Sequence, residues 1–340
     1  MDKTVFVMLL SKLRNILFGM ACLLGAANLA LADYDPDEIR DDLRISLSSA
    51  TANSIYYDVA KSICRFVNRD SEKNLLKCRP ESSPGSIFNL QLLRQAEADF
   101  AIVQSDWQKH SYNGTGPFEA QGSYNGLRYV MALHDEAFTI LARRDSNVDS
   151  FANLTKGRVN LGEPGSGARA TMDLVMQVKG WDTKSFLNTF EISTDRVIDA
   201  LCSGEIDALA TVIGHPHTIV EEAIARCDAK IISVDDDDIR AFVKAQPEYL
   251  MVEIPAKTYK GHYKPITSFG VKALLLTAAE VNEETVYNVT KSVVDNLADF
   301  QSLHQAYENI TMSSAAHAGR IAPMHKGARR CFEDAGVKVD

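Results

Sequence analysis

The sequence predicts an α/β fold in two lobes, each built on a parallel sheet, with a hinge and a cleft between them. Three observations carry that expectation. Strand-like and helix-like runs alternate over residues 44–104 and again over residues 158–234. A long extended stretch, Tyr129 to Ala142, joins the two series, and a second one, Ser268 to Thr277, leads back. Polar residues follow the C-terminal ends of the early strands, where open α/β sheets bind ligands.

The N-terminus comes first. Lys3, Lys12 and Arg14 precede an apolar run from Ile16 to Ala27, then Ala30-Leu31-Ala32, then the polar Asp33-Tyr34-Asp35. This is the layout of a secretory signal peptide over residues 1–32, cleaved after Ala32. The apolar run is short for a membrane span. Gly19, three positions before Cys22, is a poor lipoprotein signal. The formal net charge is −9; losing residues 1–32 removes three basic groups and one acid and leaves −11. An acidic chain of this kind is not expected to bind nucleic acid, which needs a basic surface. Export makes disulfides plausible. Cys64 with Cys78 and Cys202 with Cys227 form two local couples, and Cys331 is left over. Each bridge is expected to contribute ~3 kcal/mol through loop entropy.

Arg44-Ile45-Ser46-Leu47-Ser48 alternates as a first strand. Tyr57, Ala60, Ile63, Cys64 and Val67 then recur on one helical face. Leu75 to Ser83 reads as a second strand ending in a polar loop, and Ser86 to Gln95 as a helix. Asp99 to Gln104 is a short buried strand. That order implies parallel pairing with right-handed crossovers. The strand ends carry Ser48-Ser49, Ser82 to Ser86, and Gln104-Ser105-Asp106. Helix caps alone would also place serines there. In the second series Arg158 to Leu161, Ile206 to Ile213 and Lys230 to Val234 read as strands, with a helix over Thr171 to Lys179. Asp235 to Asp238 lacks the glycine turn and spaced ligands of a calcium loop, and reads as a solvated helix start. Helices from Glu283 to Asn296 onward finish the chain. The expected division is 33–134 and 251–340 in lobe I, and 135–250 in lobe II.

The segment from Asn160 to Thr171, NLGEPGSGARAT, joins the first strand of the second series to its helix. Gly165 and Gly167 permit close backbone approach. Ser166 and the amides after it would face outward at a helix N-terminus, a geometry that suits an anion. Arg169, about one turn in, would grip a carboxylate. A tight turn with a surface arginine is the plainer alternative. The segment lacks the Gly-Lys-Ser/Thr ending of a nucleotide-binding loop.

Several strings together resemble one family. They are Ser54-Ile55-Tyr56-Tyr57, Glu81 to Asn89, Asp99 to Gln108 with its Gln-Ser-Asp-Trp core, the Pro-Gly-Ser-Gly-x-Arg loop, and Gly214-His215-Pro216. The chain resembles, over residues 44–335, the TAXI-type solute-binding proteins of TRAP transporters. The resemblance implies a two-lobe type II periplasmic-binding-protein fold, a periplasmic location, no cofactor and no catalysis. It implies capture of a small carboxylate or amino acid (glutamate, glutamine, 2-oxoglutarate or a related acid) for a sodium-coupled TRAP permease, with a monomer expected. Both cysteine couples look like the family's. Carried over, the ligand contacts are Tyr56, Ser86, Asn89, Gln104 and Asp106 in the first lobe. In the second they are Gly165, Ser166, Gly167 and Arg169, with Gly214 and His215 at the rim. Asp106 is read equally as a partner for a substrate ammonium and as a helix cap. The first loop departs from the family: Ser48 to Asn53 lacks its usual glycines. Pro84 and Glu163 stand where glycine and a neutral residue are common. Glu163 in the cleft would repel a second carboxylate or pair with an amine. Two rival functions remain at this level: a periplasmic sensor presenting the same clamshell to a signalling protein, and an enzyme on the same fold.

Overall fold

The computed structural model describes residues 44–52, 54–246 and 248–339. The signal peptide and its cleavage site lie outside the described residues, as does Asn53. The first series gives β1 (Arg44–Ser48), α1 (Ile55–Arg69), β2 (Lys77–Glu81), α2 (Ser86–Arg94), β3 (Phe100–Gln104) and α3 (Ser105–Asn113). Strand β1 lies between β2 and β3 and is parallel to both, as the strand–helix order requires.

A long strand, β4 (Leu127–Arg143), opens the second series of β5 (Arg158–Asn160), α4 (Gly167–Lys179), β6 (Asn188–Phe190), α5 (Val197–Ser203), β7 (Ala208–Ile213), α6 (Thr218–Cys227), β8 (Ala229–Ile232), α7 (Asp237–Ala245) and β9 (Leu250–Ile254). The chain returns along β10 (Ile266–Ala278) and ends in α8 (Glu283–Val294), α9 (Leu297–Ser302), α10 (Met312–His317) and α11 (Lys326–Asp334). Among the described residues the strands follow the order β2-β1-β3-β10-β4-β7-β5-β6, with β8 on β4 and β9 on β10.

Two strands therefore pass through both lobes. Strand β10 pairs antiparallel with β3 near its end, through Thr277 and Phe100, and with β9 near its start, through Ile266 and Ile254. Its neighbour β4 carries β7 and β8 on its second half. Residues 137–142 of that half are buried on both faces, which explains why only Thr139 interrupts their apolar run. Phe138, Ile140 and Ala142 enter one core with Met172 and Val175 of α4. Ala137 and Leu141 point the other way, into a core with Val197 and Leu201 of α5.

The sequence expectation holds for the α/β class, the two lobes and the two long connecting strands. It misses β6, β9, α5 and α6. β6 has three residues, none fully buried, and β9 shows no clean alternation of burial. Helix α4 starts at Gly167, before the expected Thr171, because the Ser166 hydroxyl accepts from the Arg169 amide at 3.1 Å and caps it. The Asp235–Asp238 run is a helix start. Asp236 caps α7, and Lys179 reaches Asp236 at 2.7 Å. Both cysteine couples are bonded, Cys64–Cys78 tying α1 to β2 and Cys202–Cys227 tying α5 to α6. Cys331 is buried and free, its thiol pushed up to about 12 by burial. No helix among the described residues is long and apolar enough to cross a membrane.

Candidate functional site

A cavity of about 130 Å³ lies between the lobes. That is close to the volume of an engineered protein cavity that takes benzene, ~150 Å³, so the space suits a small organic solute. Three helices begin at its wall: α1 with Ser54, Ile55 and Tyr56; α2 with Gly85 and Ser86; α4 with Ser166, Gly167 and Ala168. First-turn amides have no partner within their own helix, and each helix start carries partial positive charge. The other walls are largely apolar, with Ile192, Val197, Leu209 and Val212 from the second lobe.

Sequence placed each start there for a local reason. Ser54 caps α1 by accepting from the Tyr57 amide at 3.2 Å, and Ser166 caps α4. At Gly85, φ is +117°, a conformation that glycine takes without strain. Gly167 allows a close approach to the first lobe. A Cβ there would fall 2.2 Å from Oε1 of Gln104 and 3.2 Å from Nε1 of Trp107. Gln104 is held in place, because its Oε1 accepts from the Trp107 indole at 2.8 Å.

At one wall Tyr56 donates its hydroxyl to Oε2 of Glu136 at 2.6 Å. Burial, followed by the Glu136 charge, pushes the Tyr56 hydroxyl well up, so it stays a donor. Glu136 is 2% exposed. Its other oxygen lies 3.7 Å from Nε2 of His134, beyond hydrogen-bond distance, and neither ring nitrogen of His134 has a partner. Glu163 also borders the cavity and is half-buried. Among the described residues no lysine or arginine lines this space.

Of the residues expected to contact ligand, Tyr56, Ser86, Gln104, Ser166 and Gly167 border the cavity. Asn89, Asp106, Gly165, Arg169, Gly214 and His215 do not. Asn89 is fully buried under the first-lobe loops, hydrogen-bonded to Ser48, Ser83, Ser49 and Ile102. Asp106 is buried too. It accepts from the Trp107 amide at 2.8 Å and from the Tyr249 hydroxyl at 3.0 Å, so neither an ammonium contact nor simple capping describes it. Gly165 is exposed. Gly214 packs under His134, a Cβ there falling 2.9 Å from its ring. The expected carboxylate grip by Arg169 is not where the guanidinium is: Asp173 at 3.1 Å and Glu191 hold it. Arg169→Ala is therefore expected to change solute affinity less than about threefold, with a stability loss of ~1 kcal/mol or less, as for partly exposed ion pairs. Calorimetric titration beside urea unfolding checks both.

The sequence reading did not single out Glu136, Asn160, Thr211 or Ile192, which also line the cavity. Glu136 had one signal, the second of two adjacent carboxylates at the middle of a long, mostly apolar strand. His217 lines the cavity as well. Its Nδ1 accepts from the Ile219 amide at 3.1 Å, so it is used in its neutral form. His215 is fixed between the Thr139 hydroxyl at 2.9 Å and the Tyr259 hydroxyl at 2.6 Å. Burial lowers His215 to about 3 and His217 to about 4, each with help from a neighbouring histidine. Burial raises Asp106 to about 7 against the hydrogen bonds it accepts.

These shifts set opposing pH dependences. A histidine depressed when folded stabilises above its unfolded pKa of about 6.5 and loses that contribution as pH falls; at pH 5 the loss is roughly 2 kcal/mol each. An aspartate raised when folded works the other way. It takes up its proton as pH falls through 7 and returns roughly 2 kcal/mol between pH 7 and pH 5. His110, His262, His304 and His325, also lowered by burial, add to the loss on acidification. Asp106→Asn removes the offset, so its loss should be larger than the native protein's by roughly 2 kcal/mol. Urea unfolding of both proteins at pH 7 and pH 5 reads the difference, and equal losses would contradict it.

Residues 47–336 match the model of a family described as the NMT1-like family. Among solved structures, a protein of Bordetella bronchiseptica RB50 superposes with a TM-score of 0.53 at 15% identity, over 87% of this chain and 98% of that one. The periplasmic aliphatic sulphonate binding protein SsuA from Escherichia coli gives 0.45 at 14% identity, over 77% and 73%. The amino acid ABC transporter substrate-binding protein AbpA from Streptococcus pneumoniae, bound to L-arginine, gives 0.46 at 11% identity, over 80% and 98%. At 15% identity the first of these likenesses concerns the fold alone.

Proposed function

The chain belongs to the NMT1-like family, and from that premise we propose that it is an exported solute-binding receptor rather than an enzyme. It captures a small carboxylate in the periplasm and delivers it to a membrane transporter, a TRAP permease by the resemblance of its motifs. The observation that carries this reading is the interlobe cavity on which three helix N-termini converge. Such termini are ready sites for an anionic group, and an interlobe cavity is the usual place for a small-molecule ligand.

The lobes are taken as 33–134 with 251–340, and 135–250. A solute touching Tyr56, Ser86 and Gln104 on one side and Ser166 and Gly167 on the other favours the closed form through its differential affinity. The permease would read that closed surface. Two crossing strands supply the hinge.

Thermal unfolding of the purified protein tests the reading. The panel is glutamate, glutamine, 2-oxoglutarate, succinate, malate, other amino acids and phosphate. A solute at a hundred times its dissociation constant adds ~2.7 kcal/mol, enough to raise the midpoint by several degrees. A shift with one chemical class supports the receptor. No shift with any member counts against it.

A further inference from the structure

The cavity's charges are unbalanced in a way that narrows the solute. Two carboxylates, Glu136 and Glu163, border it, and no lysine or arginine among the described residues does. His217 is engaged as a neutral cap. The guanidinium expected to meet an acid is held by Asp173 and Glu191. Glu136 is the more telling group. At 2% exposure it accepts one hydrogen bond among the described residues, from Tyr56. Among those residues its second oxygen has none, since His134 stands at 3.7 Å. A buried carboxylate is costly unless paired and hydrogen-bonded, and the open side of this one is the ligand space.

We propose that Glu136 is the specificity-determining residue of this cavity, and that it holds a protonated nitrogen carried by the solute. The inference rests on the receptor reading above and replaces its small carboxylate with an amine-bearing solute. The solute is a small amine with an apolar body, whose ammonium sits at Glu136 and Tyr56. Its carbon skeleton lies against Ile192, Val197, Leu209 and Val212. A carboxylate on the same molecule would face the helix starts. A dicarboxylate or a 2-oxo acid would bring negative charge to a wall that already has two negative groups, with nothing at Glu136 to offset them.

Three probes with one branched skeleton separate the parts: L-leucine, 3-methylbutylamine, which lacks the carboxylate, and 4-methylpentanoate, which lacks the amine. Calorimetric titration of the full protein, dialysed free of copurified solute, should give at least tenfold tighter binding for an amine-bearing probe than for 4-methylpentanoate. Glu136→Gln should weaken that amine at least tenfold and leave 4-methylpentanoate unchanged or tighter. Leucine against 3-methylbutylamine then tells whether the helix starts hold a carboxylate. Equal or tighter binding of 4-methylpentanoate, or an unaltered amine affinity in Glu136→Gln, overturns the proposal. So does failure of all three probes to bind, and a thermal shift with an acid from the earlier panel would then leave the receptor reading standing. A second readout needs no ligand. If the solute is the missing partner, Glu136→Gln should unfold several degrees higher than the native protein when both are empty. An unchanged or lower midpoint would assign Glu136 to the fold and overturn its role in recognition.

Discussion

Gly270→Ala is expected to cost about 3–4 kcal/mol, among the largest effects of any single methyl in this chain. Gly270 lies in β10 where β4 flanks it on one side and β9 on the other, paired with Ala137 and Leu250. A Cβ there would fall 2.1 Å from the carbonyl oxygen of Glu136 and 2.8 Å from Cγ2 of Val252. The first atom belongs to the backbone of a neighbouring strand and cannot swing away. Relief requires β10 to leave β4 at the point where both pass between the lobes. The substitution should therefore also loosen the wall that presents Glu136 and weaken solute binding beyond its effect on stability. Urea unfolding measures the first effect and titration of whichever solute binds measures the second. A loss under 1 kcal/mol would mean that the two strands have slack where they cross.

Asn89→Ala should be nearly as damaging, at ~3 kcal/mol. Oδ1 of Asn89 accepts from the Ser48 hydroxyl at 2.7 Å and the Ser83 hydroxyl at 2.6 Å. Its Nδ2 donates to the Ser49 carbonyl at 2.6 Å and the Ile102 carbonyl at 2.8 Å. Those four bonds use the whole capacity of an amide side chain. Truncation leaves buried donors and acceptors without partners, each costing about 1–3 kcal/mol before water repairs some. Asn89→Asp keeps the shape and loses the two donors, so it should fall at least as far. Equilibrium unfolding distinguishes these from a ligand contact, whose loss would lower affinity and spare stability.

Asn89 also shows what was legible in the sequence and what was not. Its neighbourhood could be read: a serine-rich loop after a strand end, opposite a glycine-rich loop in a second α/β series, marks a cleft. Helix starts announce themselves because capping chemistry is local, as at Ser54 and Ser166. The direction of a side chain is not local. Asn89 and Asp106 turn inward because loops and Tyr249, distant in the chain, complete their hydrogen bonds. Arg169 turns aside because Glu191, the residue just after β6, meets it. Glu136 escaped notice for the opposite reason. Its strand is mostly apolar on both faces and holds Asp135 beside it, so periodicity could not say which of the two carboxylates turned inward or that a cavity opened there.

The path of β10 has a consequence for how the chain is made. Its residues insert between β3 and β4, so Gln104 must wait for Ala273 before its edge is covered. The amide of Tyr129 waits longer, for the carbonyl of Pro323. Strands β4 to β8, by contrast, come from one continuous segment and can pair as soon as they emerge. A newly made chain therefore assembles its middle first. Until its last third arrives, β3 has an open edge of the kind that recruits other strands. Such distant pairings also slow folding. Any route that holds the nascent chain extended until synthesis is complete spares it that exposure.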